Sequence, residues 1–134
     1  MGNRFLVLAA ASGFIAVAFG AFVAHSLQEQ FSAQQLSWFN KAWQYPVFHT
    51  LALLGLGWFI AATAHLPQPE CRKSAVKIIG VSWGIGILCF SFSLYVMALS
   101  NSKALAMIVP VGGVAFLVGW ATLFWVSLRN CLNK

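Results

Sequence analysis

The chain of 134 residues is 60% hydrophobic and 7% charged, with a formal net charge of +6. A soluble domain carries about 25% charged residues, so this chain lacks the charge that a water-facing surface requires. The composition therefore indicates an integral membrane protein built as a single domain, residues 1–134. The eight basic residues are scattered at the ends of apolar runs, which argues against the basic face that nucleic-acid binding needs.

The first apolar run, residues 5–27, is long enough as a helix to cross the core of a bilayer, at about 1.5 Å per residue. Small residues recur along it at spacings of three and four. Such a stripe lets a neighbouring helix approach closely, so we expect ordinary helix packing along it. The stripe consists of Ala9, Gly13, Ala16, Gly20 and Ala24.

The next segment, residues 28–42, is polar and amphipathic. Ser32 and Gln35 match a capping box, which satisfies two free amides at the start of a helix. The segment predicts a short helix along the membrane surface, with Trp38, Trp43 and Tyr45 at headgroup depth. Pro46 suits the first turn of the following helix or a kink between the two.

Three further apolar runs complete the chain, at residues 46–65, 75–99 and 104–128. Pro67 and Pro69 mark the loop that follows the second run, because two prolines so close together stop a helix. The predicted fold is all-α: an integral membrane four-helix bundle with a short amphipathic surface helix between helices one and two.

The basic residues predict the orientation. Four spans put both termini on one side, and that side holds six of the eight basic residues, which indicates a cytoplasmic location for both termini. We therefore expect a multi-pass protein of the bacterial inner membrane. Three cysteines without a C-x-x-C motif suggest no disulfide framework, so Cys71 and Cys131 are expected as reduced, accessible thiols in the cytoplasm.

This topology brings polar residues of different helices to one membrane depth. His25 and His49 both fall near the outer ends of their helices, and Ser91 and Tyr95 lie in the outer half of helix three. Tyr45 shares a face with His49, four residues away. Because an imidazole facing acyl chains is costly, we expect both histidines to face the bundle interior, near each other and near Tyr95.

The same segments resemble the YgdD-like family of small inner-membrane proteins, which has four predicted helices and no known function. The resemblance covers nearly the whole chain and supports the fold more than any activity. It is carried by residues 20–27, 45–53, 90–95 and 109–113. The chain departs from the family pattern at Val23 and Phe92 (glycine in the pattern), Pro46 (glutamine) and Val109 (threonine).

The leading functional hypothesis is a non-catalytic membrane protein that acts through lipids, a membrane-protein partner or a homo-oligomer, without cofactor or metal. No phosphate-binding loop or hydrolase motif is present in the sequence. One alternative is a ligand, haem or metal site in the outer half, at His25 and His49. We favour over it a polar clamp, in which each histidine hydrogen-bonds a neighbouring hydroxyl or carbonyl. Another is a subunit of an oligomeric transporter, although Glu29 and Glu70 both lie outside the spans. An enzymatic role for Tyr95, Ser91 and the histidines ranks last.

Overall fold

The computed structural model describes residues 2–67 and 69–129 of the protein. This part of the chain is helical, and its helices are α1 (Gly2–Phe22), α2 (Ala33–Ala62), α3 (Glu70–Gly86), α4 (Phe92–Ser100) and α5 (Val109–Leu128). A π turn at Val23–Leu27 extends α1, and a second at Ile87–Ser91 joins α3 to α4. Four helical units are thus long and apolar enough to cross a membrane. The predicted all-α, four-helix membrane fold is confirmed.

α2 contains both the predicted surface helix and the second span. The capping box is present: the Ser32 hydroxyl accepts from the Gln35 amide, and the Gln35 side chain accepts from the Ser32 amide. The predicted boundary at Pro46 is wrong, because the helix runs on through it to Ala62. Proline removes only one helical hydrogen bond. Packing of Trp38 and Phe39 in a buried cluster holds the preceding segment in line with the rest of the helix.

The helices pack in a set of pairs. α1 lies along α2, α3 lies along α5, and the first half of α2 contacts α4. The small-residue stripe of α1 faces α2 as expected: Gly20 lies under the Trp43 ring, and the Trp43 indole donates to the Ala16 carbonyl at 3.0 Å. Ser12 and Thr50 exchange a buried hydroxyl hydrogen bond of 2.6 Å between the same two helices.

Two apolar clusters form the core, one towards each end of the bundle. The first joins α1, α2, α3 and α5 around Leu53, Ile79 and Trp83. The second joins the start of α2 to α4 around Ala42 and Ala98, whose exposed surface is zero. The chain is therefore held together by side-chain packing along most of its length, at both ends of the spans.

Three details at the helix ends differ from expectation. The third span begins at Glu70, five residues early, and the fourth begins at Val109, five residues late, with a proline in its first turn. Cys71 is disulfide-bonded, so the expectation of a reduced thiol there is wrong. Spacing along a sequence does not reveal which helix ends meet in space. Cys131 lies outside the described residues.

Candidate functional site

His49 is the buried ionisable group at the centre of the bundle, with 4% of its surface exposed. The Trp120 indole N–H donates to its Nε2 at 3.0 Å. Indole nitrogen can only donate, so Nε2 must be the unprotonated nitrogen of the ring. The hydrogen is therefore on Nδ1, which donates to the Tyr45 carbonyl oxygen at 2.7 Å. His49 is a neutral imidazole with both nitrogens occupied by its own chain, and its predicted inward orientation is confirmed.

Aromatic rings enclose this imidazole. Phe116 stacks on it with ring centroids 3.6 Å apart and an interplanar angle of 17°. Trp83 and Trp120 approach it edge-on, at 6.4 and 6.1 Å. Trp83 can come this close to α5 because it faces Gly119, where a Cβ atom would lie 2.4 Å from the indole nitrogen. The rings fix the orientation of the imidazole and exclude water from it.

A groove of about 540 Å³ opens beside His49, between α2 and α5. Its walls are mainly aromatic, with Tyr45, Phe48, Phe90, Phe116 and Trp120 among the lining residues. Tyr45 is 46% exposed and its ring packs against Phe90 at 4.6 Å. The groove can accept an apolar group, but it offers no free histidine nitrogen to a metal or haem.

His25 lies elsewhere, and its predicted inward orientation is wrong. It sits in the π turn that follows α1 and is exposed. A π turn contains an extra residue per turn, so residues beyond Phe22 no longer continue the face that the small stripe defines. His25 and His49 therefore do not form the shared site that the sequence suggested.

Ser91 and Tyr95 are both buried, but the ring contacts of Tyr95 are not with His49, where the sequence placed it. Tyr95 packs between Phe19 and Phe39, with ring centroids 5.2 and 5.6 Å away. Both residues line a second groove, of about 250 Å³, that lies between α1 and the third span. The five predicted site residues thus divide into a His49–Tyr45 site, a Ser91–Tyr95 site and the isolated His25.

The important partner that the sequence did not reveal is Trp120. It sits in the middle of a uniformly apolar helix, where nothing in the local pattern distinguishes it from a lipid-facing tryptophan. The polar N–H itself was a signal, since a buried indole usually finds a hydrogen-bond partner inside the protein. The Ser12–Thr50 pair carries the same kind of signal and was likewise not identified.

The described residues hold no group of three or more His, Cys, Asp or Glu side chains that could bind a metal ion. The interactions observed around His49 are hydrogen bonds and aromatic packing.

Comparison with known proteins places this chain in a family. Residues 19–113 match the family model described as a protein of unknown function, DUF423. A UPF0382 membrane protein of Haemophilus influenzae is 41% identical over 130 residues, which cover 97% of this chain and 98% of the relative. The UPF0382 inner membrane protein YgdD of Escherichia coli K12 is 38% identical, over 96% of this chain and 93% of its own length.

Staphylococci contain similar proteins as well. A UPF0382 membrane protein of Staphylococcus saprophyticus is 38% identical over 89% of this chain and 92% of its own length. No solved structure matches the chain. The names of these relatives describe membrane proteins, in agreement with the four apolar helices of this chain. None of the names gives an activity. The chain therefore belongs to the DUF423, or UPF0382, family of membrane proteins of unknown function.

Proposed function

We propose that this protein catalyses no reaction and acts by non-covalent association within the membrane, with lipids and with a membrane-protein partner or a second copy of itself. The observation that carries the proposal is the state of His49. Its two nitrogens are hydrogen-bonded to Trp120 and to the Tyr45 carbonyl. A histidine in that state holds helices together and has no nitrogen left for a substrate or cofactor.

The acidic residues support the same conclusion. The sequence contains two, Glu29 and Glu70. Glu29 lies in the turn after α1, and Glu70 begins α3 and pairs with Lys73 at 2.7 Å. Proton-coupled transport and general-base catalysis inside a membrane commonly depend on a carboxylate within a span. Glu29 lies outside the spans, and Glu70 is the first residue of one, where its side chain is exposed and paired with Lys73.

The outward faces of the spans favour association. α1 and α5 carry large apolar side chains that no other helix covers, such as Phe14 at 76% and Leu117 at 69% exposure. In a membrane these faces contact acyl chains or the helices of a partner, where packing rather than hydrophobicity selects the contact. Association with lipids is thus the minimum, and a protein partner or homo-oligomer adds to it.

The proposed location is the inner membrane, with both termini in the cytoplasm. The support is the distribution of basic residues, because cytoplasmic loops and ends carry the excess of lysine and arginine. Arg72, Lys73 and Lys77 all lie in the first two turns of α3. Lys103 lies in the loop between α4 and α5, at the opposite end of the third span.

Native mass spectrometry of the full-length protein, extracted in a mild detergent, tests the proposal. We expect the chain to retain lipid, or to remain a homo-oligomer, after the detergent has been removed by collisions. A bare monomer would contradict association. In parallel, added haem should give no shift of its Soret band. A Soret shift that disappears in His49→Leu would instead establish a cofactor site.

A further inference from the structure

The groove that contains Ser91 and Tyr95 separates α1 from the third span. α1 packs mainly along α2, which leaves space beside the π turn Ile87–Ser91. Side chains close the groove at both ends. Leu8 lies against Gly84 at one end, and the Phe19 ring contacts the Tyr95 ring at the other. We call this space the α1–α4 groove.

Two hydroxyl groups in this groove are buried without a partner. Ser91 is 3% and Tyr95 is 9% exposed, and neither hydroxyl has a hydrogen-bond partner within residues 2–67 and 69–129. They are four residues apart and therefore on one face of the helix. The nearby Ser12 hydroxyl is already bonded to Thr50. A buried polar group is normally paired, so two neighbouring exceptions require an explanation.

The behaviour of Ser91 contrasts with that of other helical hydroxyls in this protein. Each of four others donates to the backbone carbonyl four residues earlier, at 2.6–2.7 Å. These are Thr63, Ser100, Thr122 and Ser127. Ser91 ends a π turn, and its hydroxyl makes no such bond to the Ile87 carbonyl. π turns of this kind are frequent at functional sites. Here the last residue of the turn lines the groove and carries an unpaired donor.

The lining of the groove defines the chemistry of its occupant. Eleven residues line it and none of them is charged. Neutral hydroxyl donors without a nearby cation suit a neutral acceptor such as a carbonyl oxygen, and not a phosphate or carboxylate. All other lining groups are apolar except Ser12. The volume of about 250 Å³ lies below the 300–1,000 Å³ of pockets for drug-sized ligands, so it fits one section of a hydrocarbon chain.

The depth of the two hydroxyl groups in the membrane further restricts which ligand can bind in the groove. A bilayer core of about 30 Å needs roughly 20 helical residues. Counted from Ile78, which follows Lys77, those residues end near position 97. Tyr95 thus lies about 3 Å inside the boundary of the hydrocarbon, and Ser91 about 6 Å deeper. The ester carbonyls that attach acyl chains to a lipid headgroup lie at this boundary.

We propose that the α1–α4 groove binds one acyl chain of a glycerolipid, whose ester carbonyl accepts a hydrogen bond from Tyr95 or Ser91. The chain runs along α1 towards Leu8. This inference rests on the proposed association with lipids and assigns it a site. An isoprenoid quinone offers the same carbonyl chemistry from another source, and the experiment separates the two.

The test compares two lipids in competition for the purified full-length protein, read by native mass spectrometry. One is a diester phosphatidylglycerol, and the other is its diether analogue with identical headgroup and chains but no carbonyl. The diether cannot accept the hydrogen bond from Tyr95 or Ser91, so the wild type should bind the diester about twofold to tenfold more tightly. The double variant Ser91→Ala/Tyr95→Phe should lose this preference. Tyr45→Phe, which removes a tyrosine hydroxyl outside the groove, should retain it.

The outcomes are distinct. Equal retention of both lipids by the wild type, or an unchanged preference in the double variant, overturns the hydroxyl site while lipid association stands. Retention of neither lipid overturns the proposed association with lipids as well. A short-chain benzoquinone with an isoprenoid tail forms the third arm. Hydroxyl-dependent binding of the quinone without a diester preference would overturn the assignment to an acyl lipid.

Discussion

Trp120 and His49 are 71 positions apart in the sequence, and the indole of one donates a 3.0 Å hydrogen bond to the imidazole of the other. This bond links α5 to α2 at mid-membrane. Its partner on the other side of the ring is the Tyr45 carbonyl, one turn earlier on α2. The imidazole thus serves as a fixed bridge between helices, and both the bridge and the packing around it have measurable consequences.

The bridge predicts an interaction energy between the two residues. His49→Leu leaves the indole N–H unpaired, and Trp120→Phe leaves Nε2 unpaired, so each single change should destabilise the protein by about 1–3 kcal/mol. A double-mutant cycle in detergent should give a coupling of about 0.6 kcal/mol and at most about 1.7 kcal/mol, the average and the maximum found for hydrogen bonds within a membrane protein. Thermal or denaturant unfolding measures it. Trp58→Phe, at an exposed position on α2, is the control; strictly additive effects would exclude the bridge.

Replacing either of two adjacent glycines of α5 with alanine should have opposite effects on the stability of the protein. A Cβ atom at Gly112 would lie 2.4 Å from the backbone nitrogen of Phe90, whereas at Gly113 it would meet nothing within 4 Å. Gly112→Ala must separate α5 from the π turn and should cost about 1–3 kcal/mol. Gly113→Ala should be neutral or stabilise by up to about 1 kcal/mol, since alanine favours a helix. Unfolding of both variants in one detergent checks this, and similar stabilities would contradict the close approach.

Because the Tyr95 hydroxyl is unpaired, its removal should not lower the stability of the protein. In lipid-free detergent, Tyr95→Phe should leave stability unchanged or raise it by up to about 1 kcal/mol, because it removes a buried donor without a partner. Tyr95→Ala should cost about 3–5 kcal/mol, since it also removes the ring that packs on Phe19 and Phe39. A clear loss of stability in the phenylalanine variant would show that the hydroxyl is already paired within the protein.

The proposed orientation predicts the labelling of single cysteines. In a background without the three native cysteines, Ser102→Cys lies in the loop between α4 and α5, and Ser74→Cys lies at the exposed start of α3. A membrane-impermeant maleimide applied to intact spheroplasts should label the first and spare the second until the membrane is opened. The reverse pattern would invert the topology.

Much of the fold can be predicted from composition and periodicity. Long apolar runs required four spans, and the capping box at Ser32 located a helix start to the residue. The same reasoning placed His49 inside the bundle, because the cost of an imidazole in lipid does not depend on the details of packing. The burial of His49 was thus predictable although its partner Trp120 was not.

The features that escaped prediction depend on helix register and tertiary contacts. The π turn Val23–Leu27 rotates the later residues by roughly one position, about 100°, so a face extrapolated from Ala9 to Gly20 misplaces His25. Continuity through Pro46 depends on contacts with α4, far away in sequence. The unpaired Ser91 hydroxyl lies at the end of the second π turn. No local pattern in the sequence reports these three facts.

The uninterrupted course of α2 has a consequence for the lipid headgroups. The Gln35 side chain donates to the Ala98 carbonyl at 2.8 Å, and the Phe39 ring packs on the Tyr95 ring. Since Tyr95 lies about 3 Å inside the hydrocarbon boundary, the first turns of α2 cross the headgroup layer, which is about 5–8 Å thick. Gln34 and Asn40 are exposed on these turns. The start of α2 therefore presents amide side chains to the lipid headgroups around it.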